Sequence, residues 1–224
     1  MIPWVHLATA AVPGGEGELG LMQRGTEFAI FAGPTPLMNS RMSSSEIALA
    51  DLACELLRGR RNVRILVGGY GMGFTLRAAL AGLGKDAQIL VAELVPAVLA
   101  WARGPMAELT AGCLDDKRVR IHEGDVCAAI ASAKDAFDAI LLDVDNGPDG
   151  LSRSANDRLY TRRGLEATRK ALRPKGLLTI WSAAPSDAFT EQLRRAGFAV
   201  EVVKVRANKG RGVRHVIWAA TRPG

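Results

Sequence analysis

Gly69, Gly71 and Gly73 form a GxGxG run between the apolar stretch Val63 to Val67 and a helical stretch that opens near Phe74. Without Cβ atoms the chain can turn sharply there, and free backbone N–H groups at a helix start can meet an anionic or polar ligand. Glu93, twenty positions beyond Gly73, ends the second apolar stretch, where a carboxylate can accept both hydroxyl protons of a ribose. Leu94 follows it, and Met72 sits inside the glycine run. A dinucleotide site has the same glycines and first acid, so the third and fourth stretches must decide between the two. Gly124-Asp125-Val126 closes the third, placing Asp125 to accept a proton from an adenine amino group with Val126 beside it, and Asp143 closes the fourth. One acid at the tip of each of three consecutive strands, behind GxGxG, is the layout of an adenosyl-sulfonium pocket. Asp at such tips also caps helices and turns, and that reading stands beside the first.

Transfer from a sulfonium releases a neutral thioether, so an enzyme must supply mainly alignment and a deprotonated nucleophile. Asp143 is the candidate to orient an amine and take its proton, with Asp145 as the second carboxylate. Tyr160 and Trp181 are the candidates to line an acceptor pocket, where an aromatic face can hold a cation.

These positions require a particular scaffold. Short apolar runs at 63–67, 88–93, 118–122, 138–143 and 176–181 alternate with helical stretches near 74–83, 96–110, 126–133, 163–172 and 186–196. Runs of that kind are strands buried on both faces of a mostly parallel sheet. Runs at 199–205 and 214–220 flank a turn and predict an antiparallel C-terminal edge. Ahead of this Rossmann-like α/β unit, Leu19 to Gln23 and Glu27 to Phe31 predict a small β-hairpin, and Gly33-Pro34-Thr35-Pro36 breaks the chain after it. Ser43-Ser44-Ser45-Glu46 then predicts an N-cap for a helix. The expected division is an N-terminal hairpin segment, 1–42, and a Rossmann-like adenosyl-binding domain, 43–224. A two-stranded ribbon is too small to stand alone, so it should pack on a second copy of the chain or cover the pocket, and a homodimer is expected.

Composition narrows the function classes. The chain has 224 residues, 48% apolar and 23% charged, with a formal charge of +6, which excludes a disordered chain. No apolar run approaches the roughly 18 residues of a membrane helix, and Met1 to Gly15 lacks the basic start of a secretory signal. A cytoplasmic protein without membrane association is expected. Cys54, Cys113 and Cys127 form no CxxC pair, and His6, His122 and His215 are scattered, so reduced thiols and no metal are expected. Six basic residues (Lys204, Arg206, Lys209, Arg211, Arg214 and Arg222) and no acid lie between Lys204 and the end. With no aromatic Phe, Tyr or Trp among the first five, Lys204 to Arg214, a solvated hairpin beside a small-molecule pocket is favoured over a nucleic-acid surface.

The sequence from about Gly20 to about Leu178 resembles the spermidine synthase-like branch of the class I S-adenosylmethionine-dependent transferases. The resemblance is carried by the hairpin, Leu37-Met38-Asn39-Ser40 before Ser45-Glu46, the GGYGMGFTLR loop with Arg77, Glu93, Gly124-Asp125, Asp143 and Leu159-Tyr160. It implies an N-terminal β-hairpin domain before a Rossmann-like domain, dimers, and attack of a small amine on decarboxylated S-adenosylmethionine. Polyamine synthases usually read GGGDGG, with the Asp facing the aminopropyl end of the donor. Met72 holds that position here. Leu49 and Ala50 stand where those enzymes carry a Tyr-His pair, and Asp143-Val144-Asp145-Asn146-Gly147-Pro148 replaces Asp-x-x-Asp-Pro. S-adenosylmethionine is therefore a second candidate donor. Methyl transfer to a small molecule or nucleic acid is the alternative activity, and non-catalytic adenosyl binding a further one.

Overall fold

The computed structural model describes residues 2–14, 17–144, 157–208 and 211–224. Asp145 and the Asn146-Gly147-Pro148 that follow it lie outside the described residues, as does Lys209.

Four antiparallel strands open the chain: β1 (Val5–Ala11), β2 (Glu18–Arg24), β3 (Glu27–Ala32) and β4 (Thr35–Asn39), in that order across the sheet. The expected hairpin is β2–β3, with Leu19 opposite Ala32 and Arg24 opposite Glu27. It is the middle of a larger sheet than the sequence suggested. Thr35–Asn39, read as a break because of Pro34 and Pro36, forms a strand at the sheet edge, where a proline without an N–H is tolerated. Leu21, Phe28 and Ile30 are buried in the same apolar cluster as Val67, Leu76 and Val91, so this sheet is covered by the rest of the chain.

Helix α1 (Ser44–Leu56) leads into the alternating unit: β5 (Arg64–Gly68), α2 (Phe74–Gly82), β6 (Gln88–Glu93), α3 (Pro96–Arg103), α4 (Ala107–Thr110), β7 (Val119–Glu123), α5 (Val126–Ala131) and β8 (Phe137–Leu142). From residue 157 onward come α6 (Asp157–Tyr160), α7 (Arg162–Ala171), β9 (Leu172–Ser182), α8 (Asp187–Arg195), β10 (Ala199–Asn208) and β11 (Arg211–Thr221). The seven-stranded sheet runs β10-β11-β9-β8-β5-β6-β7, parallel from β9 to β7 and antiparallel at β11 and β10. This is the Rossmann-like architecture with the antiparallel C-terminal edge. Every residue of β8 is buried, as a strand covered on both faces must be.

Three expectations need correction. The single helix at 96–110 divides at Gly104-Pro105, because Pro105 cannot donate the next helical hydrogen bond. The Ser43 side chain makes no cap hydrogen bond at the start of α1. Leu172, expected at the end of a helix, instead begins β9.

Sheet order reverses between β5 and β8. Both strands end at the same edge, and in open α/β sheets the crevice at such a reversal is where ligands bind.

Candidate functional site

Gly68 closes β5, and its carbonyl accepts the Asp143 N–H at 2.9 Å, which holds the loops after β5 and β8 together. Gly69 follows at φ +84°, with its N–H on the Ala92 carbonyl at 2.9 Å. A Cβ at Gly69 would lie 2.1 Å from the Asp143 carbonyl oxygen, so only glycine permits this approach. Gly73, at φ +77°, turns the chain into α2 as its N-cap.

Glu93 ends β6, nine-tenths buried. Its Oε2 accepts the Tyr70 N–H at 2.9 Å and its Oε1 accepts the Val95 N–H at 2.8 Å. The carboxylate thus braces the glycine loop against the loop after β6. Burial pushes its pKa up, against the opposing pull of these backbone N–H groups. Asp125 is the N-cap of α5, accepting from Cys127 N–H at 2.8 Å through Oδ1, while Oδ2 pairs with Arg158 at 3.0 Å. The capping role weighed from the sequence is therefore real at Asp125. Asp143 follows β8, and its Oδ2 accepts the Thr75 hydroxyl of α2 at 2.9 Å.

Two adjoining cavities occupy this edge. The smaller, about 130 Å³, is lined by Gly69, Gly71, Glu93, Leu94, Asp125, Val126 and Asp143 among others. The larger, about 540 Å³, lies between the N-terminal sheet and the main sheet and includes Glu18, Glu46, Met72, Asp143, Trp181 and His215. Asp143, Val144, Gly71, Met38 and Leu37 border both. The larger cavity carries three carboxylates, and among its described lining residues there is no Lys or Arg.

Of the candidates from the sequence, Gly69, Gly71, Glu93, Leu94, Asp125, Val126 and Asp143 meet at the smaller cavity, while Met72 and Trp181 line the larger. Gly73 shapes the loop from behind, with a Cβ there 2.8 Å from the Tyr70 hydroxyl. Tyr160 is not among the described residues lining either cavity. It is buried and packs edge-on against Phe189, 5.6 Å between ring centroids. Thr75, Ser45, Glu46 and His215 were not singled out for the site. Thr75 carries no sequence signal, since α2 and β8 are brought together only by the sheet. His215 is 170 positions from its partner Ser45. Arg222, counted in the basic tail, is a structural residue whose Nη1 pairs with Asp135 at 2.6 Å.

The three cysteines are free, and burial pushes Cys54 and Cys127 each up to about 11, which keeps them as thiols at neutral pH. No group of three or more potential metal ligands occurs among the described residues, and no helix among them is long and apolar enough to cross a membrane.

Residues 44–192 match the spermine/spermidine synthase domain. A polyamine aminopropyltransferase of Mycobacterium tuberculosis is 32% identical over 151 residues, 63% of this chain and 28% of that protein. One of Saccharolobus solfataricus is 28% identical over 141 residues, 63% of this chain and 45% of that protein. The matched region thus spans less than half the length of these relatives. Among solved structures, the spermidine synthase of Thermotoga maritima superposes with a TM-score of 0.77 at 18% identity, over 97% of this chain and 72% of that one. A spermidine synthase in complex with the transition-state analogue AdoDATO gives 0.74 at 17% identity, with the same coverage.

Proposed function

The chain belongs to the spermine/spermidine synthase family, and we propose that it transfers an aminopropyl-type group from an adenosyl-sulfonium donor to a small amine. The observation that carries this reading is Asp143, a carboxylate on the wall shared by the smaller recess and a larger acidic cavity. An acidic cavity with no Lys or Arg among its described lining residues attracts cationic amines and disfavours anions.

The smaller recess suits an adenosyl group. Gly69 lets the glycine loop pass against the Asp143 carbonyl, Glu93 stands at the recess with both oxygens fixed by backbone N–H groups, and Leu94, Val95 and Val126 supply apolar walls. Beside its backbone partners, Glu93 is the candidate acceptor for the ribose hydroxyls. Asp125 is the candidate for the adenine amino group. The donor, decarboxylated S-adenosylmethionine or S-adenosylmethionine itself, supplies an electrophilic carbon on a cationic sulfur. Asp143, oriented by the Thr75 hydroxyl, takes the proton that the attacking nitrogen gives up as the N–C bond forms and the C–S bond breaks. Asp145, two positions on, remains the candidate second carboxylate. Trp181 presents an aromatic wall to the acceptor.

Met72, 2% exposed and lining the larger cavity, puts a thioether where the family's usual motif has Asp, and this keeps methyl transfer as the second reading. Incubation with each donor and a panel of amines decides between them. Methylthioadenosine as the nucleoside product is the expected result, and S-adenosylhomocysteine in its place refutes aminopropyl transfer.

The same reading carries a homodimer joined through the N-terminal sheet, where edge strand β1 exposes Val5 and Leu7. It also carries a cytoplasmic setting, with the three cysteines unpaired.

A further inference from the structure

The larger cavity contains a carboxylate that this mechanism does not use. Glu46 stands in the first turn of α1, three positions after Ser43, where the two side chains would form a capping pair. They do not. Glu46 Oε2 instead accepts the Ser45 hydroxyl at 2.7 Å, and Ser45 Oγ lies 3.0 Å from His215 Nδ1 on β11. With Glu46 ionised and the one Ser45 proton given to it, the Nδ1–H tautomer of His215 completes the chain by donating to Ser45. The imidazole is held in turn edge-on to Trp181 of β9, with ring centroids 4.7 Å apart. Residues of α1, β9 and β11 thus position one carboxylate at the wall of the cavity.

Among the described residues that line the cavity, no Lys or Arg balances that carboxylate. Burial raises the Glu46 carboxyl and lowers His215, which leaves the imidazole neutral rather than a counter-ion. A half-buried carboxylate in this setting is stabilised when a ligand brings the positive charge. Glu46 is also close to the reacting region. The Thr75 hydroxyl that donates to Asp143 Oδ2 at 2.9 Å lies 3.3 Å from the Glu46 carbonyl oxygen. Asp143 borders both cavities, whereas Glu46 borders only the larger one.

From this geometry we infer that Glu46 binds a primary ammonium group of the substrate in the larger cavity and selects for substrates that carry one. The inference rests on the amine-transfer reading above. Two molecules can bring such a group: the donor, at the end of its aminopropyl arm, or a short α,ω-diamine acceptor, at the end that does not react.

The test compares the full chain with Glu46→Gln in steady-state kinetics, using decarboxylated S-adenosylmethionine, 1,4-diaminobutane and 1-aminobutane, together with calorimetry of methylthioadenosine, which has no ammonium group. If Glu46 holds the acceptor, KM for 1,4-diaminobutane rises at least about tenfold, as expected for losing a bond to a charged group, and that for 1-aminobutane stays put. If it holds the donor, KM for the donor rises by that factor with either amine. In both cases methylthioadenosine affinity is unchanged, and Glu46→Asp, which keeps the charge but retracts it, shows a smaller rise. Unchanged KM values in Glu46→Gln overturn the inference, and so does a parallel loss of methylthioadenosine affinity, which marks a structural role. Should Glu46→Gln fail to fold, unchanged KM values in Glu46→Asp overturn it equally. A wild-type chain that turns over no amine refutes the proposed function itself, whereas turnover with unchanged KM in the variants refutes this inference alone.

Discussion

Replacing Glu93 by Gln separates the two tasks assigned to that carboxylate. In the wild type both oxygens accept backbone N–H groups, from Tyr70 at 2.9 Å and Val95 at 2.8 Å. Gln keeps one acceptor and turns an N–H2 group toward the other donor. One buried N–H then loses its partner, which destabilises by about 1–3 kcal/mol. At roughly 2–4 °C per kcal/mol for a chain of this size, the midpoint of thermal unfolding should fall by about 2–12 °C. The variant should also lose at least about 1.5 kcal/mol of nucleoside affinity, a weakening of roughly tenfold or more, because a charged acceptor for the ribose hydroxyls is gone. The pH dependence gives a third readout. Burial raises the Glu93 carboxyl above its ordinary value of 4.5, so the native state binds this proton more tightly than the unfolded chain. Its contribution to stability is then full below about pH 4.5 and is lost as pH rises through the raised value. Glu93→Gln should remove that slope. Calorimetry with methylthioadenosine and thermal unfolding across pH 4 to 8 measure all three effects. A folded variant that binds methylthioadenosine as tightly as wild type would refute the ribose assignment and leave Glu93 as a brace of the glycine loop.

Asp143→Asn should lower kcat by about 10²–10⁴, the range for a lost general base, with methylthioadenosine affinity little changed. A kcat within tenfold of wild type would show that Asp143 does not take the proton. Gly69→Ala forces a Cβ to within 2.1 Å of the Asp143 carbonyl at φ +84°, so it should destabilise by more than about 1 kcal/mol and displace Asp143. An unchanged unfolding midpoint with full activity would contradict that geometry. Val5→Lys with Leu7→Lys, at positions 54% and 37% exposed, should convert a dimer to a monomer in light scattering, and a monomeric wild type would remove the dimer from the reading. Binding to RNA or DNA should be weak and lost near physiological salt, since the basic hairpin offers general attraction without base readout. Tight binding retained at that salt would move the function toward nucleic acid.

The glycines, Glu93, Asp125 and Asp143 were legible in the amino-acid sequence because the relation between strand and loop is local. An apolar run ends, the chain must turn, and the residue at that point lies at the sheet edge whatever the remote packing. The parallel sheet and its antiparallel edge were legible for a related reason, since short, mostly apolar runs such as Phe137 to Leu142, broken only by Asp138, are the pattern of strands covered on both faces. Strands β1 and β4 were less visible. They lie at the edges of the N-terminal sheet and carry mixed or proline-containing sequence that only pairing makes into strands. Tyr160 shows the reverse case, an aromatic residue near the expected site in sequence that packs on Phe189 in the core. The acidic cavity was decided by tertiary structure alone. Glu46, Asp143, Trp181 and His215 come from α1, the β8 loop, β9 and β11, with Thr75 of α2 bonded to Asp143, and no periodicity relates residues that meet only when a sheet closes over a helix.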